Sequence, residues 1–328
     1  MERIADRAKV LLDNIITFWK GLRDDEHGGY YGYMSQELEV DKTAEKGCIL
    51  NSRILWFFSE AAMLTGQEDL RQEADHAYAF LMEHCLDKEN GGVFWSLTYD
   101  GQVQDSTKHT YNQAFAIYAL SSYYRLTGKQ EALDTAFSLF RRIEETCRDE
   151  VGYLEAFTRD WQPESNEKLS ENGVMADKTM NTLLHVFEGY SNLYRCGWDN
   201  QVAKAMRFCL DIYANKVYDP ALQRQKVFFD AHYNSIIDLY SYGHDIESSW
   251  LIDWGTRLLG DKPLTAKIEA INTEMAKAIY ETAYHEHSVA NECERGVVDQ
   301  TRVWWAQAEA VLGFVNLWKK CGEDIYKD

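Results

Sequence analysis

The sequence is poor in proline, in basic residues and in long apolar runs, and each shortage argues against a class of protein. Only 3 prolines occur among 328 residues, which permits long uninterrupted helices. The 34 basic residues are outnumbered by 53 acidic ones, and the net charge of −19 disfavours binding to nucleic acids or to anionic lipid surfaces. No apolar run is long enough to cross a membrane. We therefore expect neither a nucleic-acid partner nor a membrane partner.

Paired cysteine motifs and a secretion signal are also lacking. The seven cysteines are an odd number with no CxxC pair, and they lie mostly within helical patterns. The N-terminal segment predicts an amphipathic helix without the apolar core and small-residue cleavage site of a signal peptide. These features predict reduced, buried thiols in a cytoplasmic protein, which we expect to be a monomer. Walker A, GxGxxG and GxSxG motifs are absent, so nucleotide-binding and serine-hydrolase functions have no support in the sequence.

A repeated pattern of helix, turn and helix runs along the chain. Apolar residues recur at three- and four-residue steps on both sides of an LTG turn, first around Gly66 and again around Gly128. Both glycines are at positions where a left-handed helix cap is expected. The pattern returns near Gly197, Gly260 and Gly322, at intervals of about 62 to 69 residues. A period this regular predicts stacked helical hairpins.

Short segments rich in glycine and aromatic residues separate the hairpins. They follow the second helix of each pair, so the brief strands or β-hairpins that they predict should gather at one end of the molecule. The segments are "GGYYGYM", "GGVFWSLTYDG", "GYLEAFTRDW" and "QKVFFDAHY". Because closing a ring of hairpins hides both of its ends, we favour an all-α (α/α)6 toroid over an open solenoid. The first-of-pair helices are richer in apolar and aromatic residues and should line its interior.

The number of helices falls short of such a ring. The first helix of the chain resembles the second member of a pair, and the first-of-pair helix at Thr301–Lys320 has no successor. The pattern therefore gives ten helices where a closed (α/α)6 toroid needs twelve. We expect residues 1–328 to form a single (α/α)6-type barrel domain that is incomplete at its C-terminus, lacking the last two helices. A truncated chain or an open ring would both leave apolar faces exposed at the gap.

The starts of the first-of-pair helices carry polar and aromatic side chains that a pure core would exclude. Spacings of three or four residues place Asn181 with His185, and His244 with Glu247, on shared helix faces. If these faces look inward, one cavity contains Arg53, Tyr111, Asn112, Asn181, His185, His244, Glu247 and Trp305, and we include the adjacent Trp304 among the predicted substrate contacts. Aromatic rings stack on the C–H faces of sugars, and amides, acids and a guanidinium bond to sugar hydroxyls. The helix starts therefore predict a sugar-binding site.

Each candidate also has a purely structural explanation. His244 could cap its helix or fill a gap, although a carboxylate three residues later can orient an imidazole or tune its charge. His185 could be a hydrogen-bonded core histidine, and the two adjacent tryptophans could both be packed. Arg53 could form a structural ion pair, but the dipole at a helix start repels an arginine, which favours a functional role.

A second histidine pair invites a metal-binding interpretation. His285 and His287 have the HxH spacing of some zinc ligands, within the segment "YHEHS". No cysteine or third histidine is near in sequence, and the segment has the composition of a polar loop. We therefore predict a structural or solvated pair and no metal site.

Several stretches of the sequence resemble the cellobiose 2-epimerases, which belong to the wider N-acylglucosamine 2-epimerase group of (α/α)6 barrels. The stretches are "SRILWFFS", "KHTYNQAFAIYALSSYYR", "SENGVMADKTMNTLLH", "SYGHDIESSWL" and "TRVWWAQAEAV". The resemblance implies conversion of the reducing-end glucose of cellobiose and related β-1,4 disaccharides into mannose, without a nicotinamide cofactor or a metal. It implies ring opening, removal of the C2 proton to a cis-enediolate, rotation about C2–C3 and return of a proton to the other face.

The resemblance also implies roles for the candidate residues. His244 is similar to one of two general acid/base histidines, with Glu247 as its carboxylate partner. His185 is similar to the histidine that assists ring opening, and Arg53 to the arginine that stabilises the enediolate oxygen. The implied sugar contacts are Tyr111, Asn181 and a stacking Trp305. The family's second acid/base histidine lies in the last helical region, and we expect this chain to end before it.

Three other functions remain open on the sequence alone. A monosaccharide 2-epimerase or isomerase, acting on N-acetylmannosamine or mannose, would share most of the site. An (α/α)6 glycosidase would need a second carboxylate opposite Glu247, for which Asp177 and Glu309 are candidates. A truncated, inactive remnant would bind sugar without forming a product.

Overall fold

The computed structural model describes residues 2–166 and 173–327, and ten α-helices lie within these ranges. The chain divides into two compact units. Unit 1 comprises Met1–Ile143 and Ala156–Glu164, and unit 2 comprises Glu144–Glu155 and Ser165–Asp328. The predicted single barrel domain stays a prediction. None of the described helices combines the length and the apolar character needed to span a membrane.

Unit 1 contains five helices arranged as hairpins. The second helix packs against both the third and the fourth, and the fourth packs against the fifth, as the repeat predicted. The helices are α1 (Glu2–Lys20), α2 (Cys48–Thr65), α3 (Glu68–Phe80), α4 (Thr110–Thr127) and α5 (Gln130–Arg142). Five-residue π-helical turns follow α3 at Leu81–Cys85 and α5 at Ile143–Cys147.

Three short antiparallel sheets connect the hairpins of unit 1, and each includes part of one predicted glycine-aromatic segment. A two-stranded sheet joins β1 (Tyr33–Met34) and β2 (Val40–Asp41). One three-stranded sheet joins β3 (Lys46–Gly47), β4 (Ser96–Leu97) and β5 (Val103–Asp105). Another joins β6 (Lys108–His109), β7 (Ala156–Phe157) and β8 (Pro163–Glu164). Two of these strands, β3 and β6, run directly into α2 and α4, so pairing fixes where those helices begin.

Unit 2 is organised around one central helix. That helix, α8 (Tyr242–Leu258), packs against α6 (Met180–Tyr194), α9 (Lys262–Thr282) and α10 (Trp304–Cys321). The outer helix α7 (Asn200–Ile212) packs against α6 and continues into a π-helical turn at Tyr213–Val217. A 3-10 turn at Asp324–Lys327 follows α10 and packs against it.

The strands of unit 2 form four antiparallel sheets. They pair β9 (Lys178–Thr179) with β12 (Phe228–Phe229), β10 (Tyr218–Asp219) with β11 (Arg224–Gln225), and β14 (Tyr284–His285) with β15 (Ser288–Val289). The fourth sheet has the order β13 (Leu239–Ser241), β16 (Glu292–Glu294), β17 (Val297–Asp299). The segment predicted to be a polar loop around His285 is thus part of a tight β-hairpin, with positive φ at Glu286 and His287.

The repeated glycines end helices as predicted, with one exception. Gly66, Gly128, Gly260 and Gly322 have φ between 65° and 74°, in the left-handed region that glycine adopts without a steric penalty. At the third hairpin the left-handed residue is Trp198 (φ 55°) and not Gly197. The indole of Trp198 packs edge-on against Tyr194 of the preceding turn, with ring centroids 5.0 Å apart, and this contact offsets the backbone strain.

A buried lysine precedes three of the first-of-pair helices, namely α2, α4 and α6. Each lysine donates a hydrogen bond to an aspartate that follows an outer helix, and each aspartate also accepts backbone N–H groups of the turn after it. The pairs are Lys46 with Asp24 (2.6 Å), Lys108 with Asp87 (3.0 Å) and Lys178 with Asp149 (2.5 Å). The ion pair therefore fixes the end of one helix to the start of another.

The outward face of α10 is apolar and uncovered among the described residues. Trp304 is 79% exposed, Val311 59% and Leu312 48%. The expectation that Trp304 and Trp305 are both packed is therefore wrong for Trp304, because it lies about 100° around the helix from its neighbour.

Replacing a buried lysine should destabilise the protein far more than replacing an exposed one. Lys46→Met leaves Asp24 as a buried carboxylate without its cation, so we expect a loss of about 3–5 kcal/mol in the free energy of unfolding. The matched control is Lys20→Met, which removes an ion pair whose lysine and aspartate side chains are 33% and 56% exposed. It should cost under about 1 kcal/mol. Equal losses in urea titrations would contradict a structural role for the buried pair.

Candidate active site

Unit 2 contains six of the predicted site residues, and all six lie near the starts of its three first-of-pair helices. They are Asn181 and His185 on α6, His244 and Glu247 on α8, and Trp304 and Trp305 on α10. Because α8 packs against both α6 and α10, these helix starts belong to one packed layer. Positive partial charge at the three helix starts favours anionic groups there.

The start of α6 is fixed by a buried carboxyl group. Glu155 accepts hydrogen bonds from the backbone N–H of Thr179 (2.7 Å) and from Oγ1 of Thr182 (2.5 Å). Thr179 itself caps the helix by accepting from the N–H of Thr182. Burial raises the pKa of Glu155 to about 7. This cluster determines the rotation of α6 and hence the direction of Asn181 and His185.

His185 lies between two carboxylates. Its Nδ1 is 2.8 Å from Oε2 of Glu188 on the same helix, and its Nε2 is 3.9 Å from Oε1 of Glu247 on α8. All three side chains are buried. Because a carboxylate accepts hydrogen bonds, Glu188 holds the proton of His185 on Nδ1 and directs Nε2 towards α8. His185 is thus oriented as a site residue and not as an unspecific core histidine.

His244 has a different partner from the predicted one. Its Nδ1 lies 2.8 Å from Oγ of Ser241, whereas the predicted carboxylate partner, Glu247, points towards His185. The reason is local: His244 is in the first turn of α8, so its side chain folds back on the helix-capping Ser241, which also accepts the backbone N–H of His244 (3.4 Å). The predicted pairing of His244 with Glu247 is therefore wrong, although the two lie in one site.

Trp305 packs on His244, and a glycine makes the contact possible. The two ring centroids are 4.8 Å apart with planes tilted by 48°. A Cβ on Gly243 would lie 2.5 Å from Cη2 of Trp305 and 2.9 Å from Cβ of Ala306, so any larger residue would push α10 away from α8. Burial first, and then the proximity of His185, lower the pKa of His244 to about 3. His244 is therefore a neutral imidazole near pH 7.

Two further contacts hold α8 in place. Asp245 is buried, and its Oδ1 accepts from the backbone N–H (3.0 Å) and the Nε2 (3.1 Å) of Gln225, which also donates to the carbonyl of His244 (3.2 Å). Burial raises the pKa of Asp245 to about 7. On the opposite side, Trp250 Nε1 donates to Oε2 of Glu309 on α10 at 2.8 Å. The histidine-bearing turn is therefore clamped from both sides.

Asn181 presents a buried hydrogen-bond acceptor. Its Oδ1 is shielded from solvent and has no hydrogen-bond partner among the described residues. It lies one helical turn before His185, so the two share a face of α6. A buried acceptor without a protein partner is suited to a ligand hydroxyl. The resembling stretch that leads to Asn181 begins at 170, and its first three residues, 170–172, lie outside the described residues.

The other three predicted residues belong to unit 1. Arg53 is exposed, and its guanidinium carbon lies 4.7 Å from the ring centroid of Phe115. Tyr111 packs edge-on against the same ring at 4.9 Å. Asn112 is fully buried, and its Nδ2 donates to the carbonyl of Phe94 at 2.6 Å. Arg53 and Tyr111 thus lie together around Phe115. The amide nitrogen of Asn112 holds a loop, its Oδ1 is buried without a partner among the described residues, and its predicted place in the cavity stays a prediction.

Sequence reasoning missed Glu188, Ser241 and Gly243. Glu188 is three residues after His185, the same spacing that drew attention to Glu247, so the pattern could have identified it. Ser241 is a capping residue before a helix, and such serines are common, so its contact with an imidazole had no sequence signal. No group of three or more His, Cys, Asp or Glu residues in residues 2–166 and 173–327 is arranged to hold a metal ion.

The sequence matches the profile of a known protein family and is similar to characterised relatives. The sequence profile of the N-acylglucosamine 2-epimerase (GlcNAc 2-epimerase) family matches residues 28–328. A cellobiose 2-epimerase from Eubacterium cellulosolvens is 48% identical over 335 residues, which cover 97% of this chain and 83% of that protein.

Solved structures agree with the sequence comparison. A cellobiose 2-epimerase from Bacillus thermoamylovorans superposes with a TM-score of 0.97 at 43% identity, covering 100% of this chain and 85% of that one. A sugar epimerase from a ruminal bacterium gives 0.94 at 48% identity, covering 95% and 80%. The predicted all-α fold class of the (α/α)6 type is confirmed. These comparisons give no support to the expected truncation, which stays a prediction.

The buried carboxyl of Asp245 should make stability depend on pH. Its pKa is about 7 in the folded protein and near 3.8 when unfolded, so the folded state binds more protons between these values. Stability is therefore highest below about pH 4 for this group and falls by about 1.4 kcal/mol per unit as pH rises towards 7. Glu155 contributes in the same direction. Asp245→Asn keeps an oxygen that accepts both hydrogen bonds from Gln225 but does not titrate. The variant should therefore lose the pH-dependent contribution of Asp245 and keep that of Glu155.

The measurement is urea unfolding of wild type and Asp245→Asn at pH 5 and pH 7.5. The variant should gain stability over wild type as pH rises. Asp261→Asn is the control, because that exposed helix cap has a lowered pKa and should change the slope slightly in the opposite sense. A difference between Asp245→Asn and wild type that does not vary with pH would rule out a buried, titrating Asp245.

Proposed function

Because the chain belongs to the N-acylglucosamine 2-epimerase family, and within it to the cellobiose 2-epimerases, we propose that it inverts C2 of the reducing-end glucose of cellobiose and related β-1,4 disaccharides. The observation that carries the proposal is the pair of neighbouring imidazoles at the starts of α6 and α8, which have different partners. His185 is bonded to a carboxylate, and His244 to a hydroxyl. Proton transfer near neutral pH is the chemistry that such imidazoles perform.

Ring opening is the first step and is assigned to His185. Its Nδ1 is held by Glu188, so Nε2 is the nitrogen available to the O1 and O5 region of the sugar. Glu247, 3.9 Å from that nitrogen, is placed to stabilise a proton on it. Opening the ring produces the aldehyde that makes the C2 proton acidic.

Removal of the C2 proton is assigned to His244. A neutral imidazole is needed for a base, and the lowered pKa of His244 supplies one at physiological pH. The C2–H bond breaks, its electrons form the C1–C2 double bond of a cis-enediolate, and negative charge develops on O1. Rotation about C2–C3 then exposes the other face of C2, and return of a proton gives the mannose configuration.

Stabilisation of the enediolate and recognition of the sugar involve the remaining residues. The first turns of α6 and α8 offer partial positive charge to the developing oxyanion. We assign Arg53 to the same oxygen, and Tyr111, Asn181 and Trp305 to sugar contacts. The unpartnered Oδ1 of Asn181 supports its assignment. For Asn112 and Trp304, complete burial in one case and 79% exposure in the other argue against a role in the reaction.

The proposal includes a cellular compartment, an oligomeric state and the charge of the substrate. All seven cysteines are free thiols, five of them buried, which favours a reducing compartment such as the cytoplasm. We propose a monomer as the working form. The substrate is a neutral disaccharide, which is compatible with the strongly acidic net charge of −19.

Loss of His244 should abolish epimerisation without loss of the fold. His244→Ala should lower the rate of formation of 4-O-glucosyl-mannose from cellobiose by about 10²–10⁴-fold, the contribution of a general acid/base. His285→Ala, in an exposed hairpin, is the control and should keep full activity. Products are separated by anion-exchange chromatography.

The same assay separates the alternative functions. Free glucose released from cellobiose would indicate a glycosidase, and turnover of mannose or N-acetylmannosamine but not of cellobiose would indicate a monosaccharide enzyme. Full activity of His244→Ala on cellobiose would contradict the assignment of His244.

A further inference from the structure

We propose that Ser241 is a positioning residue that orients His244 through a hydrogen bond at Nδ1 without placing a charge beside it, so that Nε2 is free to accept the C2 proton. The proposal rests on the proposed function and adds a residue to it. Ser241 does not touch the sugar in this account, since it acts only through His244.

The position of Ser241 is fixed by secondary structure on both sides. It is the last residue of β13, where it pairs with Glu292 of β16, and it is the capping residue of α8. Its Oγ lies 2.8 Å from Nδ1 of His244 and 3.4 Å from the backbone N of the same residue. Ser241 is 8% exposed, so water competes little for this hydroxyl. The imidazole is therefore held against a rigid partner.

A hydroxyl suits a base that changes its protonation state during the reaction. Oγ accepts Nδ1–H both in the neutral tautomer, which leaves Nε2 unprotonated, and in the imidazolium that forms when Nε2 takes up a proton. The hydrogen bond thus survives proton uptake at Nε2 without movement of either side chain. A carboxylate could only accept, and it would attract a proton to the ring before substrate arrived.

His185 and His244 differ in the group that contacts Nδ1. His185 has the carboxylate of Glu188 at the distance at which His244 has a hydroxyl, 2.8 Å in both cases. The two imidazoles therefore differ in whether the oxygen at Nδ1 belongs to a charged carboxylate or to a neutral hydroxyl. Pairs of titratable groups whose surroundings differ in this way divide the roles of acid and base between them.

The other ionisable groups around His244 do not replace this effect. Glu247, on α8, points to His185, and Asp245 accepts from Gln225. From α10, Trp305 is uncharged and Glu309 accepts from Trp250. From α6, His185 is the ionisable neighbour that disfavours a second positive charge. Replacing Ser241 with an acidic residue therefore changes the charge next to Nδ1 of His244.

Ser241→Asp is the decisive variant, because aspartate is as good a helix cap as serine yet adds a carboxylate at Nδ1. We expect the acid limb of the pH profile of kcat/KM for cellobiose to move up by at least one pH unit. The pH at which kcat/KM falls to half its maximum should therefore be higher in Ser241→Asp than in wild type, while the ratio of the two activities stays constant above pH 7. Ser241→Thr keeps the hydroxyl and should restore the wild-type profile, whereas Ser241→Ala should lose activity at every pH.

A readout without turnover separates this proposal from the proposed function. Side-chain ¹⁵N spectra of histidine-labelled protein report the protonation midpoint of His244, assigned by loss of its signals in His244→Gln. The midpoint should be higher in Ser241→Asp than in wild type, whether or not cellobiose is the substrate. If the midpoint rises but no epimer forms from cellobiose, the proposed function fails and the role of Ser241 stands.

A cap-only control excludes a purely structural role. Asp199 caps α7 by accepting the N–H groups of Gln201 (2.7 Å) and Val202 (3.1 Å), away from His244. Asp199→Ala should lower Tm about as much as Ser241→Ala but leave the pH profile and the His244 midpoint unchanged. A Ser241→Asp variant with the wild-type midpoint and the wild-type acid limb would overturn the proposal.

Discussion

The buried lysine in front of a first-of-pair helix, paired with an aspartate, is the constraint on which the site depends. In unit 2, Lys178 and Asp149 fix the residue at which α6 begins. A helix that began one residue later would turn its side chains by about 100° and take His185 away from Glu247. Ion pairs with a buried lysine add little net stability, but their geometry favours one register of the helix over others. The contacts that fix the start of α6 therefore also determine where the imidazole of His185 lies.

Helix positions could be predicted from the sequence, but the partners of side chains could not. Helical periodicity and the glycines at Gly66, Gly128, Gly260 and Gly322 identified the hairpins, and spacing identified His185 and His244. Spacing says which residues share a face of one helix, but it does not say which neighbouring helix that face meets, so Glu247 was matched to the wrong imidazole. The buried lysines were missed because lysine is almost never buried, and general rules place it in solvent.

Two imidazoles in one buried site must differ if one is to remove a proton while the other supplies one. Here they differ in their immediate contacts, a carboxylate for His185 and a serine hydroxyl for His244, and burial followed by the proximity of His185 lowers the pKa of His244. Gly243 contributes by allowing Trp305 to cover His244 and exclude water. The short stretch from Ser241 to Glu247 thus supplies the helix cap, the glycine that allows close packing, the proposed base and a carboxylate that faces the neighbouring helix.

The most direct measurement of this account is the fate of the C2 hydrogen when the chain turns over cellobiose in D₂O. Proton abstraction by an imidazole predicts deuterium at C2 of the mannose-configured product, seen as loss of its C2–H signal in the ¹H NMR spectrum. A product that keeps its original hydrogen at C2 would show that the hydrogen moves without exchange with solvent. That result would contradict an acid/base site built from His185 and His244.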